Sequence, residues 1–173
     1  NTAADNATFS RTFVVTVNAV NDVPLLDALS DVTIDEDAAE QTVNLTGIAA
    51  GGGESQPLAV TSSSSNTTLV PDPTVTYTSA NATGSLKFTP AADQSGTATI
   101  TVTVEDGGLD GDLGTASDNQ MVTQQFAVVV NAVNDAPTLD FGQVDFILVG
   151  DEEIATTVDF SHVSVGDLNS DGF

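Results

Sequence analysis

The sequence predicts an all-β fold, a two-layer antiparallel sandwich of about seven strands. Three observations carry that expectation. Ala98, Ile100, Val102 and Val104 alternate with Thr97, Thr99, Thr101 and Thr103, a period of two on residues that suit a pleated, half-buried surface. Short apolar runs recur between clusters of Gly, Pro, Asn and Asp, which punctuate turns and leave little room for a long helix. A phrase is also used twice, FVVTVNAVNDVP at 13–24 and FAVVVNAVNDAP at 126–137, so the organisation is modular.

Taken in chain order, Phe13, Val15 and Val17 read as the end of one sandwich. They match Phe126, Val128 and Val130 of the second phrase. Between them, 32–34, 42–45, 58–62, 75–78 and 85–89 are short strand candidates, and 97–104 is a longer one. The strand around Phe126 has apolar residues on both faces, which puts it nearer the middle of the fold. The segment 47–56 contains Gly51-Gly52-Gly53 and reads as a loop, because glycine runs give up too much backbone freedom to sustain a strand. The serines at 62–65 favour a turn through local side-chain bonding. Pro71 and Pro73 bracket another turn.

The two copies of the phrase lie 113 positions apart. At the same offset Thr2, Ala3, Asp5 and Asn6 recur as Thr115, Ala116, Asp118 and Asn119, and Leu26-Asp27 recurs as Leu139-Asp140. That period exceeds the roughly 20–50 residues of solenoid repeats, so each unit is expected to bury its own core. The expected organisation is a terminal strand and linker of a preceding repeat at 1–23, a complete domain at 24–136, and an incomplete following module at 137–173. The last ends in VGDLNSDGF, a phrase without counterpart in the complete unit, so a different module type stays open there.

Charge excludes some partners. The chain has 25 acidic residues against Arg11 and Lys87, a formal net charge of −23. Such a surface repels nucleic acid and anionic membranes, and no apolar run reaches the length of a membrane span. With no cysteine, disulfides and cysteine-based zinc or catalytic sites are ruled out. An apolar content of 40% argues for a folded chain rather than acidic disorder.

The acids are clustered: seven fall in 22–40, six in 93–118 and nine in 135–171, whereas 41–92 holds only Glu54 and Asp72. Asn21-Asp22 and Asn134-Asp135 each follow an apolar strand and stand one residue before a proline. Their carboxylate and carbonyl oxygens are hard ligands of the kind Ca²⁺ gathers in groups of six to eight. A single pair cannot fill such a shell, and the further candidates are Asp35, Glu36, Asp37, Asp93, Asp106, Asp110 and Asp112. The alternatives are plain Asp-Gly and Asn-Asp turns and a generally acidic, solvating surface. Asp167, Asn169 and Asp171, followed by Gly172, begin with the alternating spacing of an EF-hand loop; a plain turn is the alternative there too.

Material for catalysis is thin. His162 is the only histidine and Tyr77 the only tyrosine, and tryptophan is absent. Asp110 and Asp112 sit in a glycine-rich loop without aromatic neighbours to hold a sugar. An enzyme is not expected.

NAVNDVP, NAVNDAP, VTIDED at 32–37 and FTPAADQSGTATITVTVEDGG at 88–108 together resemble the bacterial cadherin-like modules found in tandem in large surface and secreted proteins, close to immunoglobulin-like modules. The resemblance implies a Greek-key sandwich with Ca²⁺ between successive modules. It implies Asn21 and Asp22 as linker ligands with Asp106 at one junction, and Asn134 and Asp135 with Glu36 and Asp93 at the other. Ala19 and Ala132 stand where the calcium-rich animal form has a further aspartate, which implies fewer ions or water in place of one ligand. The end of the chain resembles the start of a dockerin or FG-GAP calcium loop, with Asp167, Asn169 and Asp171 as its ligands.

The implied function is a calcium-stiffened extracellular repeat module acting in adhesion or as a spacer, secreted or on the bacterial cell surface. Its partners would be neighbouring repeats of the same polypeptide and another cell-surface protein or polysaccharide, with no nucleic acid and no direct membrane insertion. The alternative is a carbohydrate-binding or accessory module of a large secreted enzyme.

Overall fold

Alternating residues bounded by turns give seven strands between residues 32 and 131 of the computed structural model, which describes residues 8–135 and two short strands beyond them. These are β1 (Val32–Asp35), β2 (Gln41–Leu45), β3 (Leu58–Ser64), β4 (Thr74–Thr76), β5 (Gly84–Phe88), β6 (Gly96–Asp106) and β7 (Met121–Asn131). Further on, β8 (Thr138–Leu139) pairs antiparallel with β9 (Val165–Gly166). One sheet has the order β1-β7-β6-β3 and the other β2-β5-β4. No helix among the described residues is long and apolar enough to cross a membrane.

The inward faces of the two sheets form one core. Leu45 and Leu86 come from the three-stranded sheet, and Ile100, Val102, Val104, Phe126 and Val128 from the four-stranded one. Sandwich packing of this kind follows from strands with one apolar face each. Along β6 the alternation buries Ala98, Ile100, Val102 and Val104, and then continues one step further. The next inward position is Asp106, so strand period alone carries a carboxylate inside at the end of β6.

The two-sheet antiparallel sandwich of about seven strands is the fold the sequence predicts. Within it one pair is parallel, β1 with β7, from Val32↔Val128 to Asp35↔Asn131. The chain first touches the loop beyond β2, through the bridge Leu25↔Ala49, and only afterwards joins the edge of the four-stranded sheet. Asp31 fixes that crossing, its Oδ1 accepting the Ala127 N–H at 2.7 Å. The serines from 62 onward do not all turn: Ser62, Ser63 and Ser64 extend β3 against Val102, Thr101 and Ile100. Cross-strand pairing outweighs their local preference. The Ser62 hydroxyl donates to the Pro73 carbonyl at 2.8 Å, and Asp72 Oδ1 accepts the Ser64 N–H at 2.7 Å.

Residues 8–20 form no strand and are exposed throughout. Phe13, Val15 and Val17 therefore differ from their counterparts in β7, which face the core.

Candidate functional site

The long strand β6 separates two acidic poles. Asp93 lies in the turn just before it and Asp106 is its last residue; the strand's 11 residues span roughly 33 Å at about 3.3 Å per residue.

At the first pole, the chain entering the module is anchored by Asn21. Its Nδ2 donates to Asp106 Oδ1 at 3.0 Å and to the Asp118 carbonyl at 2.9 Å, and its Oδ1 accepts from Gln56 Nε2 at 2.7 Å. Asp106 is fully buried. Its Oδ1 also accepts the backbone N–H of Gly108 at 3.0 Å and of Gln120 at 2.9 Å, while its buried Oδ2 has no hydrogen-bond partner. Asp118 Oδ2 accepts the Leu109 N–H, and its Oδ1 is likewise buried without a partner. The asparagine thus acts as a donor to a carboxylate, and four buried acceptor oxygens at this pole, Asp106 Oδ2, Asp118 Oδ1, Gln56 Oε1 and Asn119 Oδ1, have no hydrogen-bond partner.

Asp22 turns another way. Its backbone N–H donates to Glu54 Oε2 at 3.2 Å, and its carboxylate lies over the Cα of Gly52, in the space that a Cβ there would fill. Gly51 (φ 88°) has the Val23 carbonyl in the same position. The glycine run that reads as a loop is the seat on which the entering linker rests. Gly51→Ala is expected to destabilise the module by roughly 1–3 kcal/mol through clash and left-handed strain, measured by urea unfolding. An equal value for Gly53→Ala, where a Cβ meets open space, would show that strain alone accounts for the loss.

At the second pole, Asp37, Asp93 and Asp135 bring carboxylate oxygens within 4.8 Å of one another. Asp37 (φ 62°) and Asp93 (φ 57°) both hold left-handed backbone conformations, which are uncommon outside glycine. Three carboxylates this close repel by about 1 kcal/mol per pair even in water, and by more at lower effective dielectric. Beside them Glu36 is only 3% exposed. Its Oε1 accepts the Val133 N–H at 2.7 Å, and its buried Oε2 has no hydrogen-bond partner. A cation with oxygen contacts of about 2.3–2.6 Å spans oxygens up to about 5 Å apart, so these three carboxylates are spaced to hold a hard cation.

The structure therefore joins Asn21 with Asp106, and Asp93 with Asp135. It adds Asp37 to the second group and leaves Asp22 turned toward the glycine loop. The Nδ2 of Asn134 donates to the Asp135 carbonyl at 3.3 Å. Asp35 takes a hydrogen bond from Asn131 Nδ2, and Asp110 and Asp112 cap their own loop by accepting the N–H groups of Asp112 and Gly114. Asp167, Asn169 and Asp171 lie outside the described residues. Asp118 was missed as a site residue, although its recurrence as Asp5 was a signal; Gln56 carried none. A cavity of about 300 Å³ adjoins the first pole, lined by Ile48, Ala50, Glu54, Gln56, Leu58 and Ala82 among others, with no aromatic side chain on its wall.

Among solved structures, the chain is similar to domains 4 and 5 of the S-layer protein SbsC, with 18% identity, a TM-score of 0.37, and 61% of this chain and 53% of that one covered. Titin domains z1z2, in complex with telethonin, share 12% identity at a TM-score of 0.39, with 70% and 54% covered. The ASH/PapD-like domain of human CEP192 shares 12% identity at a TM-score of 0.40, with 74% and 99% covered. The chain spans about half the length of the first two. No curated protein sequence matches it. The family model described as bacterial Ig domain matches residues 21–123, which takes in the entering linker, β1 to β6, the start of β7 and the acidic turns at both ends of β6. The chain belongs to the bacterial Ig domain family, whose members are structural, non-catalytic modules.

Proposed function

We propose that this module is a link in an extracellular or bacterial cell-surface array, and that Ca²⁺ stiffens its junctions. The observation that carries the reading is the group Asp37, Asp93 and Asp135, gathered at the exit of β7 beside a buried glutamate. Asp37 and Asp93 belong to the body of the module and Asp135 to the chain leaving it. A cation held by all three would neutralise their repulsion and fix the direction in which the chain departs. When bound, the ion supplies charge neutralisation and coordination, and no reaction.

The two linker pairs suggest a division of labour. Asn21 reaches forward into the module that follows it, whereas Asp135 turns back to the module that precedes it. Because Asn21-Asp22 and Asn134-Asp135 are copies, each junction would combine an amide clasp on one side with a carboxylate cluster on the other. The array would then serve adhesion or act as a spacer, with neighbouring repeats as its first partners.

Extracellular calcium modules bind in the range of about 10⁻⁴–10⁻³ M. Calcium at 10 mM should therefore stabilise this one by about 1.5–3 kcal/mol, a rise of roughly 5–10 °C in melting temperature for a domain of this size. Asp93→Ala and Asp135→Ala should each abolish most of that response, and Asp72→Asn, at mid-domain, should leave it intact. Scanning calorimetry with chelator and then with calcium makes the measurement. A melting temperature indifferent to calcium would sink the reading.

A further inference from the structure

Residues 9–20 have the side chains of an inner strand but none of its neighbours. From Phe13 to Asp22 the sequence FVVTVNAVND matches FAVVVNAVND at 126–135 everywhere except Val14 and Thr16. The environments are opposite. Phe13, Val15 and Val17 are 85%, 68% and 87% exposed, whereas Phe126, Val128 and Val130 are 2%, 0% and 2% exposed. Phe9, Val14 and Val20 add to the uncovered apolar surface, and clustered exposed apolar residues mark interaction sites.

The surroundings of β7 define what such a segment needs. β7 lies between β1 and β6, parallel to the first and antiparallel to the second. Phe126 stands opposite Ile100, Val128 opposite Ala98, and Val130 opposite Gly96. On the other side Val128 pairs with Val32 and Val130 with Ile34. Polar anchors complete the slot: Asn131 Nδ2 donates to Asp35 Oδ1 at 3.1 Å, and the Val133 N–H donates to Glu36 Oε1 at 2.7 Å.

We propose that residues 13–18 are the closing strand of a second module of this same kind, standing immediately upstream in the polypeptide. They pair parallel with its β1-type strand and antiparallel with its β6-type strand. Phe13 takes the place of Phe126, Val15 of Val128 and Val17 of Val130, and Asn18 anchors where Asn131 does. Within this module, and within any second copy of the chain, the slot is already filled by β7. The polarity also fits: Asn21 is clasped to the entry pole through Asp106, so the preceding residues lead away from this module, as residues 132–135 lead away from β7. The proposal makes no use of a cation and stands or falls apart from the calcium reading.

The test extends the full chain by a copy of residues 24–113 joined directly before Asn1, which restores the 113-residue period. Hydrogen exchange should show the amides of 13–17 passing from free exchange to protection, with a second cooperative unfolding transition. Val15→Lys should remove that second transition and spare the first, while leaving the 173-residue chain's own stability unchanged. Thr16→Lys, on the opposite face of the strand, should spare both. Amides at 13–17 that exchange equally fast with and without the extension would overturn the proposal. Concentration-dependent protection of those amides in the 173-residue chain alone would overturn it too, since a second copy would then suffice as partner.

Discussion

Phe126→Ala should lower the unfolding free energy by about 3–5 kcal/mol, the cost of removing a buried aromatic and leaving a cavity behind. Phe126 is inward on β7, opposite Ile100, with Leu45, Leu86 and Val128 in the same buried cluster. A domain of this size has about 5–15 kcal/mol in all, so the variant should lose a large share of its stability. In urea the midpoint should fall while the slope stays the same, because the surface exposed on unfolding hardly changes. Phe13→Ala provides the internal comparison. The two residues occupy equivalent places in the repeat, but Phe13 is exposed, so its truncation should stay within about 0.5 kcal/mol. Equal losses at the two positions would mean that 13–18 packs on this module after all.

Asp106→Ala is the second large effect, expected at about 2–4 kcal/mol. The carboxylate is fully buried, and its Oδ1 alone receives Asn21 Nδ2 and the N–H groups of Gly108 and Gln120. Alanine would strand two backbone donors inside the fold, at about 1–3 kcal/mol each. Asn21 would lose one of its two acceptors and keep the Asp118 carbonyl. Asp106→Asn should behave differently. It retains the oxygen that takes all three bonds and removes a buried charge whose Oδ2 has no hydrogen-bond partner. Its stability without calcium should therefore match or exceed that of the parent. Equilibrium urea unfolding of both variants measures the contrast, and a tolerated Asp106→Ala would show that the clasp contributes little.

How far the sequence could be read follows from where its signals were local. Alternation at 97–104 located β6, and the apolar neighbours of Phe126 put β7 inside its sheet, because strand period is written directly in the residues. The serines of β3 misled because their turn preference is local and their partner, β6, is some forty residues away in sequence. Parallel pairing of β1 and β7 had no local signature at all. At the second pole, Asp93 and Asp135 were legible from the repeat and the resemblance. Asp37, in contrast, joined them only once the turn after β1 took a left-handed backbone conformation. At the first pole Asp106 was legible, but the role of Asn21 as a donor rather than an oxygen ligand depends on side-chain direction, which spacing does not encode.

The parallel pairing of β1 and β7 also decides how the module answers a pull. Tension along a chain of such modules enters near β1 and leaves at the end of β7, drawing the two strands in opposite directions along their length. All the register pairs from Val32↔Val128 to Asp35↔Asn131 are then loaded together in shear, where an antiparallel hairpin pulled from its open end would yield one bond at a time. A sandwich whose first and last strands lie side by side and point the same way would meet such a pull with those four pairs in shear.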